Sequence, residues 1–275
     1  MSGSFNWNCA LVTGGGGGLG KAIAQLFLSK GKQVIIAGRT ESNLQATVKQ
    51  LNNPKLSYVV LDTSKTETFA SFVSDLLKEH PEVDCLVNNA GIQKPLSFTS
   101  LTDSSKIDAF TSGAESEIQT NITGVVNLTA HFLPHILSKP SGAIITVSSG
   151  LAFVPLTLCP VYSATKAFIH SYTLSLRYQL RDTKVKVIEV APPLVGTDLH
   201  RDHSDPDNNK KEKNPMSLTV EEFINQVESQ MEEGRDEVAP GFAEPRAKAW
   251  QETFGEMFVC EVNIIDVHKY ESSPR

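Results

Sequence analysis

A run of five glycines near the start of the chain limits what this sequence can fold into. It covers residues 14 to 18 and is followed by Leu19 and Gly20. An apolar run over residues 8 to 13 precedes it and predicts a buried strand, and residues 21 to 29 have the apolar spacing of a helix. Strand, glycine turn and helix form the first half of a dinucleotide-binding unit, because glycines let the backbone approach a pyrophosphate and a helix N-terminus attracts it.

The glycine run fits two spacings of such a site. Gly15-x-Gly17-x-x-Gly20 satisfies the general dinucleotide fingerprint, and Thr13-Gly14-x-x-x-Gly18-x-Gly20 satisfies a more particular one. A flexible glycine linker is the alternative interpretation. It is disfavoured because the flanking segments have the patterns of a strand and a helix, unlike low-complexity sequence.

Predicted strands and helices alternate along the chain. Further strands are predicted over residues 33–37, 56–61, 84–87, 143–148, 184–190 and 236–239, and helices over 41–51, 65–79, 114–137, 164–180 and 219–233. Residues 92–112 are predicted to form a loop with a short helix. This alternation predicts an α/β fold, a doubly wound parallel sheet in three layers (a Rossmann fold). We expect one domain over residues 1–275, with a cofactor half over about 5–150 and a catalytic half over 151–275.

The end of the second predicted strand indicates the type of dinucleotide. An acidic side chain at this point would bind the adenosine ribose 2′-hydroxyl and repel a 2′-phosphate. Arg39 and Thr40 stand there instead, and the guanidinium fork of arginine suits phosphate. NADP is therefore favoured over NAD. Glu41 lies close enough to keep NAD possible, and Arg39 could instead stack on the adenine or cap the strand end.

A serine and a tyrosine flank the segment after the fifth predicted strand. Ser149 follows the strand, Tyr162 opens the next predicted helix, and Lys166 lies one helical turn later on the same face. A lysine ammonium beside a tyrosine can lower the tyrosine pKa toward neutrality, and such a tyrosine can transfer a proton at pH 7. Alternatively, Tyr162 is a buried helix-start tyrosine beside a solvated lysine.

Composition excludes several classes of function. The net charge is −6 with no basic stripe, which argues against nucleic-acid binding. No apolar run has the length of about 20 residues that a membrane span needs, and no signal peptide is visible, so we expect a cytoplasmic protein with free thiols. His131 and His135 have a metal-compatible spacing, but no third ligand accompanies them, and no metal site is predicted.

The segment over residues 198–215 is strongly polar. Such a composition cannot bury itself, so we expect a mobile lid around residues 198–218, with an ordinary surface insertion as the alternative. Beyond Pro240 the pattern weakens. Four apolar residues there could cover the core or form a subunit contact: Phe254, Met257, Phe258 and Val259.

Taken together, these motifs resemble the short-chain dehydrogenase/reductase family in its single-domain form. The matching features occur in the family's order over residues 9 to about 198: the glycine turn, Asp62, Asn88-Asn89-Ala90-Gly91, Asn121, Ser149, Tyr162-x-x-x-Lys166 and Pro192-x-x-Val195-x-Thr197. Ser149 lies at the family's spacing before Tyr162, whereas Ser148 is in the wrong register. The resemblance implies hydride transfer between a nicotinamide cofactor and a carbonyl or alcohol.

The resemblance also implies roles for individual residues. Tyr162 would be the general acid or base, Lys166 would lower its pKa and bind the nicotinamide ribose, and Ser149 would hold the substrate oxygen. Asn121 would hold a water in a proton relay. The implied cofactor-binding residues are Gly14, Gly17, Gly18, Leu19, Gly20, Arg39, Thr40, Asp62, Thr63, Asn89, Ala90, Gly91, Tyr162, Lys166, Val195 and Thr197.

Two departures from the family pattern border the substrate side. Pro192-Pro193 replaces the family's usual Pro-Gly and stiffens the backbone entering the nicotinamide loop. The segment between Gly91 and Asn121 and the C-terminal segment also differ from the family's usual form. The resemblance therefore does not identify the substrate.

We expect NADPH-dependent reduction of a ketone or aldehyde with an apolar body. The residues expected to line the pocket are Leu151, Phe153, Val154, Leu156 and Leu158. The alternatives are an NAD-dependent alcohol dehydrogenase and a non-catalytic dinucleotide-binding sensor. The family also implies a homodimer or homotetramer, formed through the helices predicted over 114–137 and 162–180.

Overall fold

The computed structural model describes residues 5–264, with side chains through residue 260. Within them, seven parallel strands form one sheet in the order β3-β2-β1-β4-β5-β6-β7. The strands are β1 (Cys9–Thr13), β2 (Gln33–Gly38), β3 (Leu56–Val60), β4 (Val83–Asn88), β5 (Gly142–Val147), β6 (Val185–Val190) and β7 (Glu237–Val238). The predicted α/β fold, with its doubly wound parallel sheet, is confirmed. The strand order reverses between β1 and β4, where ligands of such sheets bind.

Helices cover both faces of the sheet. They are α1 (Gly18–Ser29), α2 (Glu41–Leu51), α3 (Phe69–Glu79), α4 (Ser104–Ile118), α5 (Gly124–Leu137), α6 (Pro160–Gln179), α7 (Val220–Glu232), α8 (Ala243–Trp250) and α9 (Glu256–Ile264). Short 3₁₀ turns lie at Thr66–Thr68, Phe98–Ser100, Gly150–Ala152 and Asp198–His200.

Alternate residues of each strand supply two separate cores. Ala10 and Val12 of β1 face the core under α1 and α7, whereas Cys9 and Leu11 face the core under α3, α5 and α6. This alternation follows from the two-residue repeat of a strand. Both faces of the strands are therefore buried, and polar side chains with access to ligand are confined to the strand ends.

Two helical regions differ from the sequence-based expectation. The sequence predicts mainly a loop over residues 92–112, but α4 begins at Ser104, where the Asp103 side chain accepts a hydrogen bond from Lys106 N at 3.0 Å. The helix predicted over 114–137 is therefore longer and is interrupted by a π-helical turn at Gln119–Thr123. Beyond Pro240, where the sequence pattern is weak, α8 and α9 are joined by a second π-helical turn at Gln251–Gly255.

No helix among the described residues is both long enough and apolar enough to cross a membrane. The four cysteines are free thiols, three of them buried.

Candidate active site

The glycine turn brings β1, α1 and β4 into close contact. A Cβ atom added to Gly20 would lie 2.5 Å from Asn89 Nδ2 and 2.8 Å from the carbonyl carbon of Gly14. Gly14 has a φ of 69°, a left-handed conformation that favours glycine. By contrast, nothing lies within 4 Å of a Cβ atom added to Gly17, the residue before α1. The tight glycines thus hold the helix N-terminus against the strands, and Gly17 faces open space where a phosphate would fit.

Hydrogen bonds lock the ends of β1 and β4 together. Thr13 Oγ1 donates to Val87 O and accepts from Asn89 N and Ala90 N at 3.0 Å each, and Asn89 Nδ2 donates to Thr13 O at 2.8 Å. The structure thereby brings Asn89 and Ala90 beside the glycine turn. It also gives Asn89 a structural hydrogen bond in addition to the implied contact with the cofactor ribose.

The ends of β2 and β3 bring Arg39 close to Asp62. Burial would raise the pKa of the Asp62 carboxyl, but hydrogen bonds from Ser64 N and Oγ, together with the charges of Arg39 and Lys65, hold that pKa below its usual value. Arg39 and Thr40 are exposed. Glu41 accepts a hydrogen bond from Tyr58 Oη at 3.0 Å, so its carboxylate is already engaged.

Thr63 and Leu19 support this edge of the sheet through packing. A Cβ atom on Gly124, at the start of α5, would overlap Thr63 O, so α5 lies directly against the segment after β3. Leu19 is half-buried against the core beneath α1. Thr63 therefore lies where α5 meets the segment after β3, and Leu19 contributes to the core.

Asn121 lies in the π-helical turn between α4 and α5. Its Oδ1 accepts from Ile92 N and its Nδ2 donates to Ile92 O, both at 2.9 Å, and Nδ2 also lies 3.1 Å from Thr165 Oγ1. A Cβ atom on Gly91 would lie 3.2 Å from Asn121 Oδ1 and 3.6 Å from Lys166 Nζ. The extra residue of the π turn aims Asn121 at the loop after β4, and a glycine at position 91 leaves room for both Asn121 and Lys166.

Ser149 and Tyr162 are brought together at the end of β5. Ser149 Oγ accepts from Leu151 N at 3.1 Å, and the Ser149 side chain forms a hydrogen bond with Tyr162. Burial raises the pKa of the Tyr162 hydroxyl, the charges of Cys159 and Glu117 raise it further, and the Ser149 hydrogen bond lowers it. Tyr162 therefore holds its proton at neutral pH in this structure, and the lowering by Lys166 expected from the sequence stays a prediction.

Lys166 is buried beside both groups. Its Nζ donates to Val147 O at 2.8 Å and lies 5.6 Å from the centre of the Tyr162 ring. Burial lowers the pKa of Lys166 to about 8, and the charge of Glu189 opposes that decrease. The ammonium form therefore predominates at pH 7 and is lost as the pH rises through about 8.

A buried asparagine joins the polar segment after β6 to the predicted nicotinamide loop. Asn209 Nδ2 donates to Val195 O at 3.1 Å and to Thr197 O at 2.8 Å, and the Asn209 side chain is 1% exposed. Thr197 Oγ1 in turn caps the short helical turn that follows, accepting from Leu199 N. The segment thus holds the predicted nicotinamide loop by specific contacts despite its polar composition, and its role as a mobile lid stays a prediction.

One predicted pocket residue has a different position. Phe153 packs against the small apolar cluster that includes Ala243 and lies 4.7 Å from the His170 ring, centre to centre. Leu151 is half-buried, whereas Val154, Leu156 and Leu158 are exposed by 48%, 43% and 72%. Phe153 is thus partly buried by these contacts, whereas Val154, Leu156 and Leu158 are the more exposed members of the predicted pocket.

Sequence reasoning missed a buried carboxyl group next to the tyrosine. Glu117, on α4, accepts from Lys94 N at 2.6 Å, and its second oxygen is buried without a hydrogen-bond partner. Burial raises the pKa of Glu117 to about 7. A signal for it exists, since Glu117 lies four residues before Asn121 and therefore near the same helix face.

A second missed group lies behind the end of β5. His170, Glu189 and Glu237 place ligand-type atoms within 4.8 Å of one another, the only such three-residue group among the described side chains. The two histidines with the metal-compatible spacing have separate contacts, His131 with the Phe69 ring and His135 with Val83 O.

Comparison with known proteins agrees with this geometry. The family model for short chain dehydrogenases matches residues 8–208. The uncharacterized oxidoreductase DltE of Bacillus subtilis is 40% identical over 84% of this chain and 87% of its own. The NADP-dependent 3-hydroxy acid dehydrogenase YdfG of Shigella flexneri is 33% identical over 79% and 86%.

A solved structure shows the same similarity. The closed form of a serine dehydrogenase complexed with NADP⁺ superposes with a TM-score of 0.70 and is 31% identical, over 80% of this chain and 88% of that one. The chain belongs to the short chain dehydrogenase family, and it is an NAD(P)-dependent oxidoreductase of that family.

Proposed function

We propose that this protein is an NADPH-dependent reductase of ketones or aldehydes, with Tyr162 as the general acid. The observation that carries this proposal is the buried group formed by Ser149, Tyr162 and Lys166 at the carboxyl end of β5. The three side chains come from two segments of the chain, and all are at least nine-tenths buried.

Each of these side chains has a defined task in the proposed reaction. Ser149 Oγ donates a hydrogen bond to the substrate carbonyl oxygen, which aligns the carbonyl with the Tyr162 hydroxyl. Tyr162 gives its proton to that oxygen as negative charge develops there, and the Lys166 ammonium stabilises the tyrosinate that remains. Asn121 holds the loop after β4 next to Lys166. The bound cofactor supplies the hydride.

Arg39 supports NADPH as the cofactor. It is exposed at the end of β2, next to the glycine turn, so its guanidinium is free to bind a 2′-phosphate. The two acidic side chains near Arg39 are both engaged, since Asp62 accepts from Ser64 N and Oγ and Glu41 accepts from Tyr58 Oη. The YdfG relative is named NADP-dependent, and the serine dehydrogenase neighbour is complexed with NADP⁺.

The exposed apolar residues after Ser149 support a substrate with an apolar part. Val154, Leu156 and Leu158 lie in the segment between Ser149 and Tyr162.

For the subunits, we propose a homodimer or homotetramer through α4–α5 and α6, which expose Ile118, Leu137 and Phe168. Size-exclusion chromatography with light scattering tests the oligomer, and a monomer at micromolar concentration would contradict it.

The activity is tested by following oxidation of NADPH and of NADH in parallel with a panel of ketones and aldehydes. The panel includes 3-oxo acids because of the name of the YdfG relative. Because of the serine dehydrogenase neighbour, the oxidation of serine is followed in a separate assay as reduction of NADP⁺ and of NAD⁺. We expect turnover with NADPH and at least tenfold less with NADH. Turnover with NADH alone would replace the proposal by an NAD-dependent dehydrogenase, and binding without any turnover would indicate a non-catalytic sensor.

The pH dependence gives a second test. Reduction needs a protonated Tyr162 and the ammonium form of Lys166. Since the pKa of Lys166 is about 8, reduction should be constant below that pH and decline above it. A rate of reduction that rises with pH above 8 would contradict Tyr162 as the acid.

A further inference from the structure

A chain of hydrogen bonds joins the end of β5 to β6 and α6 directly behind the catalytic serine. Ser148 Oγ donates to Glu189 Oε1, and Glu189 Oε2 lies 2.9 Å from His170 Nδ1. All three side chains are at least 95% buried. Ser148 is the residue before Ser149, so this chain of contacts ends one residue from the substrate-binding hydroxyl.

The same strand end contacts α6 at a second point, one residue earlier. Val147 O accepts from Lys166 Nζ at 2.8 Å, and Lys166 lies one helical turn before His170 on the same face of α6. Two consecutive residues of the strand end are therefore linked to two consecutive turns of α6. Val147 is bound directly by Lys166, and Ser148 is linked to His170 through Glu189. Tyr162 lies one further turn toward the N-terminus of α6. The contacts of α6 with the strand end therefore also position Tyr162 relative to Ser149.

Several charged groups surround Glu189. From α6, Lys166 and His170 face it, and Arg177 lies near Glu237. From β7, Glu237 is its in-register neighbour, and burial, followed by the Glu189 charge, raises the pKa of Glu237 to about 7. The aromatic rings of Phe153 and Trp250 pack against His170, each 4.7 Å away between ring centres, and shield the group from water.

We propose that Glu189 is a positioning residue for the reaction: its carboxylate fixes the backbone that carries Ser149 and is the buried negative charge behind the strand end that Lys166 contacts. This proposal rests on the proposed function of the Ser149, Tyr162 and Lys166 group. A carboxylate in the middle of an apolar strand is costly unless it is hydrogen-bonded and paired with positive charge. Glu189 satisfies both conditions through Ser148, His170 and the nearby Lys166.

The counter-charge has a measurable consequence with a defined sign. A nearby negative charge favours the ammonium form of Lys166, so replacing it by a neutral amide lowers the pKa of Lys166. The protonated tyrosine–lysine pair is then lost at lower pH, and the decline of reduction with rising pH begins earlier. Because the two groups titrate together, the observed midpoint belongs to the pair.

The test compares the pH profiles of kcat for NADPH-dependent reduction in the wild type, Glu189→Gln and Glu237→Gln. Glu237→Gln is the matched control, since it makes the same change at the neighbouring in-register position on β7, one strand farther from the β5 end that Lys166 contacts. We expect the midpoint in Glu189→Gln to lie lower by about half a pH unit or more, and the midpoint in Glu237→Gln to remain within about 0.2 units of the wild type.

If Glu189 only held the backbone in place, Glu189→Gln would lower kcat at every pH without moving the midpoint, and this result would overturn its role as the negative charge that acts on Lys166. If Glu189→Gln does not fold, Glu189→Asp draws the carboxylate back by one methylene and should shift the midpoint in the same direction by a smaller amount. An unchanged midpoint in Glu189→Asp would then contradict the proposal.

A readout independent of turnover separates this inference from the proposed function. The titration of Lys166 can be followed by NMR with isotope-labelled lysine, assigned by Lys166→Arg. A lower Lys166 pKa in Glu189→Gln supports the counter-charge even if no substrate is reduced, in which case only the proposed reaction fails. An unchanged Lys166 pKa in a folded, active Glu189→Gln protein would overturn the inference and leave the reaction intact.

Discussion

The candidate site has a cofactor end, at the ends of β1, β2 and β4, and a catalytic end, at the end of β5 and the start of α6. The two ends are built by different means. At the cofactor end, the glycine turn and the short hydrogen bonds of the Thr13 and Asn89 side chains hold three segments of main chain close together, with no room for a Cβ atom at Gly20. At the catalytic end, Ser149, Tyr162 and Lys166 are buried side chains whose charges and hydrogen bonds come from three elements distant in sequence. The difference teaches that close steric fit determines the structure of the cofactor end, whereas buried charges and hydrogen bonds determine that of the catalytic end.

Apart from replacement of the tyrosine itself, the largest effect is expected at the catalytic end. Ser149→Ala removes the hydroxyl that holds the substrate oxygen, and it should lower kcat by about 100-fold or more. Cofactor affinity should change little, since Ser149 belongs to the electrostatic end. Steady-state kinetics and NADPH titration measure the two effects. A loss of NADPH binding equal to the loss of kcat would show that the two ends are not separable.

At the cofactor end, the added methyl group in Gly20→Ala should disturb the packing because it meets the Gly14 backbone and Asn89. We expect a loss of about 2 kcal/mol in the free energy of unfolding, with weaker NADPH binding. Gly113→Ala is the control, since Gly113 is also helical and its Cβ would meet only the flexible end of Leu96. Chemical denaturation distinguishes them, and equal stability of the two variants would refute the steric interpretation.

Arg39→Ala tests whether charge also contributes at the cofactor end, because it removes a positive side chain there. The dissociation constant for NADPH should rise about tenfold, the equivalent of one charge-assisted contact, while that for NADH should stay nearly constant. Fluorescence titration of both cofactors measures this. Equal weakening of both would assign Arg39 to adenine stacking and not to the 2′-phosphate.

The smallest effect is expected where the polar segment meets the nicotinamide loop. Asn209→Ala removes two hydrogen bonds to Val195 O and Thr197 O and should raise the KM for NADPH a few-fold. Asn214→Ala is the control, since its side chain accepts a hydrogen bond from Met216 N within the same segment and so acts locally. If both variants resemble the wild type, the segment does not support the cofactor loop.

The cofactor end can be predicted from the sequence because it depends on patterns of residues that are close together in the chain. The glycine spacing and the strand patterns are enough to predict the fold, and they place the predicted cofactor residues at the carboxyl ends of the strands. The start of α4 at Ser104 escapes such reasoning, although Asp103 is a good helix cap, because the apolar spacing of α4 is weak.

The electrostatic network cannot be predicted in this way, because it joins residues from separate elements. Glu189 appears in the sequence only as one charge within an apolar strand, and its partners Ser148 and His170 lie 41 and 19 residues away. The spacing of Ser148 to Tyr162 is wrong for catalysis, so the sequence gives Ser148 no role. Its hydrogen bond to Glu189 depends on the pairing of β5 with β6, which no local pattern contains.

The most direct test of the central claim is Tyr162→Phe, with turnover and NADPH affinity measured on the same preparation. We expect kcat to fall by about three orders of magnitude while the dissociation constant for NADPH stays within about twofold, since only the proton donor is removed. Turnover close to that of the wild type would contradict the assignment of Tyr162 as the general acid.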